Sequence, residues 1–486
     1  MSKLFRYGLL LLLLSSCTVG PDYSRPTIVS PADWTISYDA AVNMTDTSWW
    51  RQFNDPVLDE LVETALRNNL DLQAAVARVD QFLGQLRTTR SEYFPQIGVS
   101  VSASRQDDTE TGLMTSANDP YNYYQGQLSA TWELDLWGRI RRSNEAARAQ
   151  VLASDAGRRG LLLSLVSNVA SNYLVLLGID RQLVIARETE STYAESLNIF
   201  QQRYKYGTVS MVELAQVESE YEGARQAIPA LEAQIARQEH LISVLLGQNP
   251  GKIPRGKLID ELSIPVIPAG LPARLLEQRP DIIQAEQTLI AANANIGVAK
   301  ALYFPTVSLT GAFGTASIDS SKLFESASNV WNVSGDLLAP LFTFGNIEGQ
   351  VMTSEAVQRE ALYNYRQSII SAFSEVEDAL VSTTKGREQQ DARARQSLAL
   401  ENYARLAKLQ FEGGTTGYLQ VLDANRELFS AQLRYVETQT GVLTSLVDVY
   451  RAMGGGWVDI ADSMSLGSDI TVNTIEEQNS KKVDGS

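Results

Sequence analysis

The chain has 486 residues, with 41 Lys plus Arg against 57 Asp plus Glu, one Cys and one His, and a net charge of −16 at neutral pH. That acidic balance argues against a nucleic-acid partner and suits a solvated surface or a cation-favouring passage, while one cysteine and one histidine exclude an internal disulfide framework and His/Cys metal sites. Mean hydropathy is −0.14, and no run of about 18 apolar residues stands out, so no transmembrane helix is expected; a membrane crossing would need strands that close on themselves.

At the amino terminus Lys3 and Arg6 precede the apolar run Tyr7 to Leu14, then Ser15-Ser16-Cys17. Residues 1–16 read as a secretory signal peptide. The placement of Cys17 resembles a bacterial lipobox, which implies an N-palmitoyl and S-diacylglycerol cysteine at the new first position. The alternative is an incidental small residue at a signal cleavage site. Thr18 follows where an Asp would imply retention in the inner membrane, so an outer-membrane destination is expected. Residues 17–55 carry no helical period and read as an extended arm, with Trp34, Trp49 and Trp50 free to dock on a partner surface.

The chain contains itself twice. Asp71 and Tyr93-Phe94-Pro95 recur 210 positions later as Asp281 and Tyr303-Phe304-Pro305. Gly138 and Ile140 recur 207 later as Gly345 and Ile347, and Tyr206-Gly207-Thr208 as Gly413-Gly414-Thr415. The repeats span 56–248 and 272–457, joined by a Pro/Gly-rich linker at 249–271 and followed by a polar tail at 458–486. Each repeat reads helix, strand pair, long helix, Gly-Thr turn, helix. The opening helices are expected from about Pro56 to Tyr93 and from about Pro272 to Tyr303, each stopped by Phe-Pro.

The segments after Pro95 and Pro305 alternate with period two. Ile97, Val99, Val101 and Ala103 oppose Gly98, Ser100, Ser102 and Ser104, and Leu128, Ala130, Trp132 and Leu134 repeat the pattern. Val307, Leu309 and Phe313 follow it in the second repeat, with a weaker strand around Val330 to Leu338. Strand pairs are therefore expected at about 96–135 and 306–339, of a length that suits a tilted membrane strand. Alternation alone fits a soluble hairpin equally well. Four strands cannot close a barrel, so a spanning sheet must pool several copies, and three copies would give twelve strands.

Arg139 to Tyr206 reads as one unbroken helix of roughly 100 Å, since no proline falls between Pro120 and Pro229 and Leu162, Val169, Leu176 and Leu183 recur every seven residues. The next helix carries a seam of Val217, Tyr221, Ala224, Ile228, Leu231, Ile235, Gln238, Ile242 and Leu245, with Pro229 inside it. The last helix carries two adjacent seams, one through Leu422, Phe429, Leu433, Val436, Thr440, Leu443, Val447 and Tyr450, the other through Val421, Ala424, Leu428, Ala431, Tyr435 and Val442. Two seams imply two partners, as in a ring of helices; an ordinary up-down bundle remains the alternative. His240 falls off the seam and carries no role.

The stretch Gly270-Leu271-Pro272-Ala273-Arg274-Leu275-Leu276-Glu277-Gln278-Arg279-Pro280-Asp281-Ile282 resembles, almost letter for letter, a hallmark of TolC/OprM-like outer-membrane efflux lipoproteins of the NodT type. Cys17 with Pro21 and Tyr23, Trp49-Trp50, Glu133-Leu134-Asp135-Leu136-Trp137-Gly138, Leu245-Leu246-Gly247, Val421-Leu422-Asp423-Ala424 and Tyr450 to Trp457 agree. The resemblance implies a homotrimer with a 12-stranded β-barrel continued by a coiled-coil α-barrel tunnel. It also implies a passive, non-enzymatic duct without cofactor, fed by an inner-membrane pump through a periplasmic adaptor protein and set in outer-membrane lipid. It places a periplasmic gate at Leu419 and Asp423, and adaptor contacts at the helix-turn tips Gly207, Thr208, Gly414 and Thr415; the alternative for Asp423 is a solvated carboxylate or one paired with Arg426 on its own helix. Some relatives carry a second acid at the position of Gln420, which this chain lacks. A non-conducting periplasm-spanning lipoprotein and a duct for type I protein secretion are the alternatives; an envelope hydrolase has no nucleophile elbow, metal spacing or His relay to support it.

Overall fold

The structure is a computed structural model that describes residues 18–27, 48–107, 120–265 and 279–455. The signal peptide, Cys17, Trp34, most of the hallmark stretch and the polar tail lie outside them. The elements in chain order are α1 (Pro56–Asn68), α2 (Leu70–Ser91), β1 (Gln96–Gln106), β2 (Tyr121–Leu134), α3 (Arg139–Lys205) and α4 (Met211–Leu245). The second series is α5 (Pro280–Ala301), β3 (Thr306–Ser317), β4 (Asn329–Leu338), α6 (Asn346–Glu412) and α7 (Tyr418–Ala452).

The two repeats agree in element length. Helices α2 and α5 have 22 residues each, α3 and α6 have 67 each, and α4 and α7 have 35 each. Strand register repeats as well. Gln96 stands opposite Thr131, and the residues 210 and 207 positions further on, Thr306 and Leu338, are also directly paired. The chain divides into two units, one containing residues 18–27, 78–155 and 284–366, the other residues 48–77, 156–283 and 367–455.

The first unit holds a four-stranded antiparallel sheet in the order β1-β2-β3-β4. Its pairing places Ile97, Val99 and Val101 on the same face as Leu128, Ala130 and Trp132, then Val307, Leu309 and Phe313, then Trp331, Val333 and Leu337. Serines, threonines, glutamines and Asp336 share the other face, because side chains directly opposite each other in an antiparallel pair point the same way. The apolar face is open: Val101 is 80% exposed and Val333 77%.

At the foot of this sheet Trp137 stacks on Phe304 at 4.8 Å and donates its indole N–H to the Pro305 carbonyl at 2.7 Å. The arm is fastened there. Val19 N–H donates to the Trp137 carbonyl, Asn293 donates to the Pro21 carbonyl, and Tyr23 and Arg25 both donate to Glu286. Arg142, almost fully buried, bonds Asp22 and Glu145. Gly20 lies so close to Gly297 that a Cβ on it would stand 2.5 Å from the Gly297 Cα, so neither position accepts a side chain.

The second unit packs its core around the middle of α3, with Leu162, Val166, Val169, Tyr173 and Leu176 against α1, α4 and α7. One stretch of this core bears on the hydropathy expectation. Helix α3 does contain an 18-residue window of mean hydropathy 1.7, long and apolar enough by composition to cross a membrane, and two-thirds of it is buried in that core. Trp49 and Trp50 also depart from expectation. They are buried in a short 3₁₀ turn, Trp49 stacked on Tyr450 at 5.0 Å, so they fill this chain's own core and are not available to a partner surface.

The single helix expected from Pro56 to Tyr93 is two. Asn69 adopts extended backbone; its side-chain oxygen accepts from Leu72 N–H while its amide donates to the Leu245 carbonyl, so one residue ends α1, starts α2 and ties both to α4. Helix α4 continues through Pro229. Its polar seam member, Gln238, donates to the Asn172 side chain and carbonyl, which makes that position a cross-helix link. Both seams of α7 are packed, buried at Val421, Leu422, Ala424, Ala431, Val436, Val442, Leu443 and Val447 and half-buried at Leu428, Phe429, Leu433 and Tyr435. Leu422 packs with Phe200 and Val217 of the first repeat, whereas Val421 and Ala424 pack with Ala404 and Ala407 of α6.

Candidate functional site

Two turns, α3–α4 and α6–α7, carry the residues singled out at the helix tips. They are built alike. Gly207 and Gly414 take φ of +72° and +73°, the left-handed conformation that lets a helix end abruptly. Gly207 N–H donates to the Tyr204 carbonyl and Thr208 N–H to Arg203, and Gly414 and Thr415 repeat these bonds to Phe411 and Gln410. Each threonine hydroxyl adds a second bond to the same carbonyl, Thr208 to Arg203 at 2.9 Å and Thr415 to Gln410 at 3.0 Å. Each helix-end carbonyl thereby accepts two bonds from one threonine, one from its N–H and one from its hydroxyl.

The tips differ at the next helix. Ser210 caps α4 through a capping box, its hydroxyl accepting from Glu213 N–H while the Glu213 carboxylate accepts from Ser210 N–H at 2.8 Å. The bonds that the Ser210 N–H and hydroxyl donate to it hold the Glu213 carboxyl below its usual range. The matching residue of α7 is Gly417, which has no side chain to cap with. Gln420, three residues on, accepts instead from the Thr416 hydroxyl.

The two tips are joined by rings. Phe200 of α3 meets Tyr418 of α7 at 4.3 Å, Phe411 meets Tyr418 at 4.9 Å, and the Arg203 guanidinium lies over both Phe200 and Phe411. Burial pushes the Tyr418 phenol above its ordinary range. Motif spacing does not reveal this brace; aromatic residues crowding within a few positions of both Gly-Thr turns were its only signal in the sequence.

Leu419 opens the first turn of α7 and is 63% exposed. One turn further, Asp423 accepts from Arg426 at 2.6 Å, and Arg426 also approaches Glu427 at 3.7 Å. Leu419, Asp423 and Arg426 are therefore brought together on the outward side of α7, with no second chain element in ion-pair reach among the described contacts. Beside them Tyr193 is buried. Burial raises its phenol strongly, and its hydroxyl has no hydrogen-bond partner among the described residues. It borders a cavity of about 180 Å³ lined also by Glu188, Asn425, Phe429 and Gln432.

Comparison with known proteins adds an independent line. The outer membrane efflux protein family model matches residues 61–248 and again 271–455. The chain is similar to the cation efflux system protein CusC of Escherichia coli O6:H1, 33% identical over 452 residues that cover 92% of this chain and 97% of that one. It is equally similar, 33% over 455 residues covering 92% and 94%, to the probable efflux pump outer membrane protein TtgC of Pseudomonas putida KT2440. Among solved structures, the Campylobacter jejuni CmeC outer membrane channel superposes with a TM-score of 0.87 at 26% identity, covering 95% of this chain and 98% of that one.

Proposed function

Because this chain belongs to the outer membrane efflux protein family, we propose that it is the passive exit duct of a tripartite exporter, a homotrimer receiving small toxic compounds from an inner-membrane pump through a periplasmic adaptor. It is an outer-membrane efflux component in its own right; the trimer, partners and cargo are the added reading. The observation that carries it is the sheet. Its four strands have one apolar, exposed face and one polar face, and its outer strands β1 and β4 each pair on one side only among the described residues. An apolar face of this extent needs lipid, and open edges in lipid need partners. Three copies would supply twelve strands around a polar lumen.

Cys17 is the residue we assign to the acyl anchor. The arm that follows it is fastened to Trp137 and Arg142 at the foot of the sheet, which supports an anchor held at the membrane surface. Leu419 and Asp423, with Arg426 as counter-charge, form the proposed gate. A three-fold ring of carboxylates favours cations and resists close approach. Gly207, Thr208, Gly414 and Thr415 are the proposed adaptor contacts, being exposed backbone turns of fixed shape. The duct itself needs neither cofactor nor catalytic group, since the pump supplies energy. Relatives named for cation, toluene and antibiotic efflux support small compounds over secreted proteins as cargo.

Planar-bilayer recording of the purified, acylated protein tests the reading. Small cation-selective openings are expected. Native-gel trimers without any conductance would overturn the duct in favour of a structural spacer.

A further inference from the structure

The internal repeat turns one contact inside the chain into a forecast of a contact between chains. Trp137 follows β2 and stacks on Phe304, which precedes β3. The residue 207 positions after Trp137 is Phe344, and the residue 210 positions before Phe304 is Phe94. Phe344 follows β4, and Phe94 precedes β1, so they occupy the two outer edges of the sheet. Among the described residues neither has the ring partner that its counterpart has. Phe344 is 99% exposed, with a left-handed φ of +47° that a bulky side chain rarely adopts, and Phe94 is 68% exposed.

We infer that the subunit interface copies the β2–β3 joint: β4 of one protomer pairs with β1 of the next, and Phe344 stacks on Phe94 of that next copy. This rests on the duct reading, and it sets the register. Applying the same offsets to the observed β2–β3 pairs, Ala130 opposite Gly311 becomes Leu337 opposite Val101, and Ser129 opposite Ala312 becomes Asp336 opposite Ser102. Parity supports it. The apolar residues Trp331, Val333 and Leu337 of β4 fall on the face of Val99, Val101 and Ala103, whereas a slip of one residue would send one strand's apolar set into the lumen. A slip of two keeps the faces but carries Phe344 away from Phe94, so the stack selects among the remaining registers. The joint is not a full copy. Phenylalanine lacks the indole N–H that Trp137 gives to the Pro305 carbonyl, so the interchain stack holds by ring contact alone.

The test is cysteine trapping in the full-length, membrane-inserted protein. Asp336→Cys with Ser102→Cys, both in one chain and both on the polar face, should form covalent dimers and trimers on oxidation. Asp336→Cys with Ser100→Cys or with Ser104→Cys should stay monomeric on denaturing gels, as should each single variant. Stronger trapping by a slipped pair, with native trimers intact, overturns the register and leaves the duct reading standing. Failure of every pair together with loss of native trimers would overturn both. In a second measurement Phe344→Ala and Phe94→Ala should each lower the temperature at which trimers dissociate, and the double variant should fall no further. Additive losses would overturn the stack.

Discussion

The carboxylate of Asp423 accepts a 2.6 Å hydrogen bond from Arg426, and both side chains remain about half exposed on α7. A pair of this kind, three residues apart on one exposed helix face, is worth only about 0.2 to 0.5 kcal/mol. Fold and gate can therefore be separated at this site. Asp423→Ala should leave the apparent melting temperature nearly unchanged while enlarging single-channel openings and weakening their cation preference. Unchanged conductance and selectivity in both Asp423→Ala and Arg426→Ala would remove the gate assignment.

Asp55 makes a different kind of bond. It caps α1 at Val57 N–H, accepts from Lys257 N–H, and accepts from the buried Tyr173 hydroxyl at 2.9 Å, all while itself almost fully buried. Asp55→Ala removes a cap and strands several donors at once. We expect a loss of about 3 kcal/mol, with Asp55→Asn recovering part of it by keeping the cap. Denaturant unfolding of both variants measures the difference.

Tyr193→Phe should stabilise the protein, because it deletes a buried hydroxyl that bonds nothing among the described residues. The expected gain is about 1 kcal/mol. There is a pH signature too. Burial raises the phenol's folded-state pKa above its unfolded value near 10, so its contribution is complete below pH 10 and is lost as pH climbs towards the folded value. In the variant that alkaline loss should shrink. A melting profile between pH 8 and 11 that matches wild type would contradict this.

Gly417 leaves the start of α7 without the cap that Ser210 gives α4. Its extended backbone, φ −77° and ψ 157°, accepts serine without strain, and Gln420 stands where the reciprocal partner belongs. Gly417→Ser should raise the apparent melting temperature and, by stiffening the tip, reduce basal channel openings. Ser210→Ala should lower stability, and its effect should fade in acid, because the depressed Glu213 carboxyl contributes above its unfolded pKa and is lost as pH falls through the folded one. Bilayer recordings and melts at two pH values check both.

Much of the protein was legible in its residues because repetition and periodicity are local. The offsets of Phe94-Pro95 and Gly138 located two equal halves, alternation from Ile97 and Val307 located the strands, and the two seams of α7 announced two neighbours, which proved to be α6 on one side and the α3–α4 pair on the other. Gly207 and Gly414 declared their turns because only glycine enters the left-handed region cheaply.

Other features were set only by contacts across long sequence distances. Asn69 breaks a helix that propensity would continue, because its amide reaches Leu245 in α4. Trp49 and Trp50 look like docking residues until Tyr450, some four hundred positions on, closes over them. The apolar middle of α3 resembles a membrane span, since composition cannot say whether lipid or Tyr450 and Val447 covers it. The sequence by itself determined the periods, the turns and the doubling, which depend on neighbours a few residues apart. Which face met which partner, and which hydroxyl went unbonded, only the tertiary structure decided, because burial and hydrogen-bond satisfaction belong to residues that meet in space.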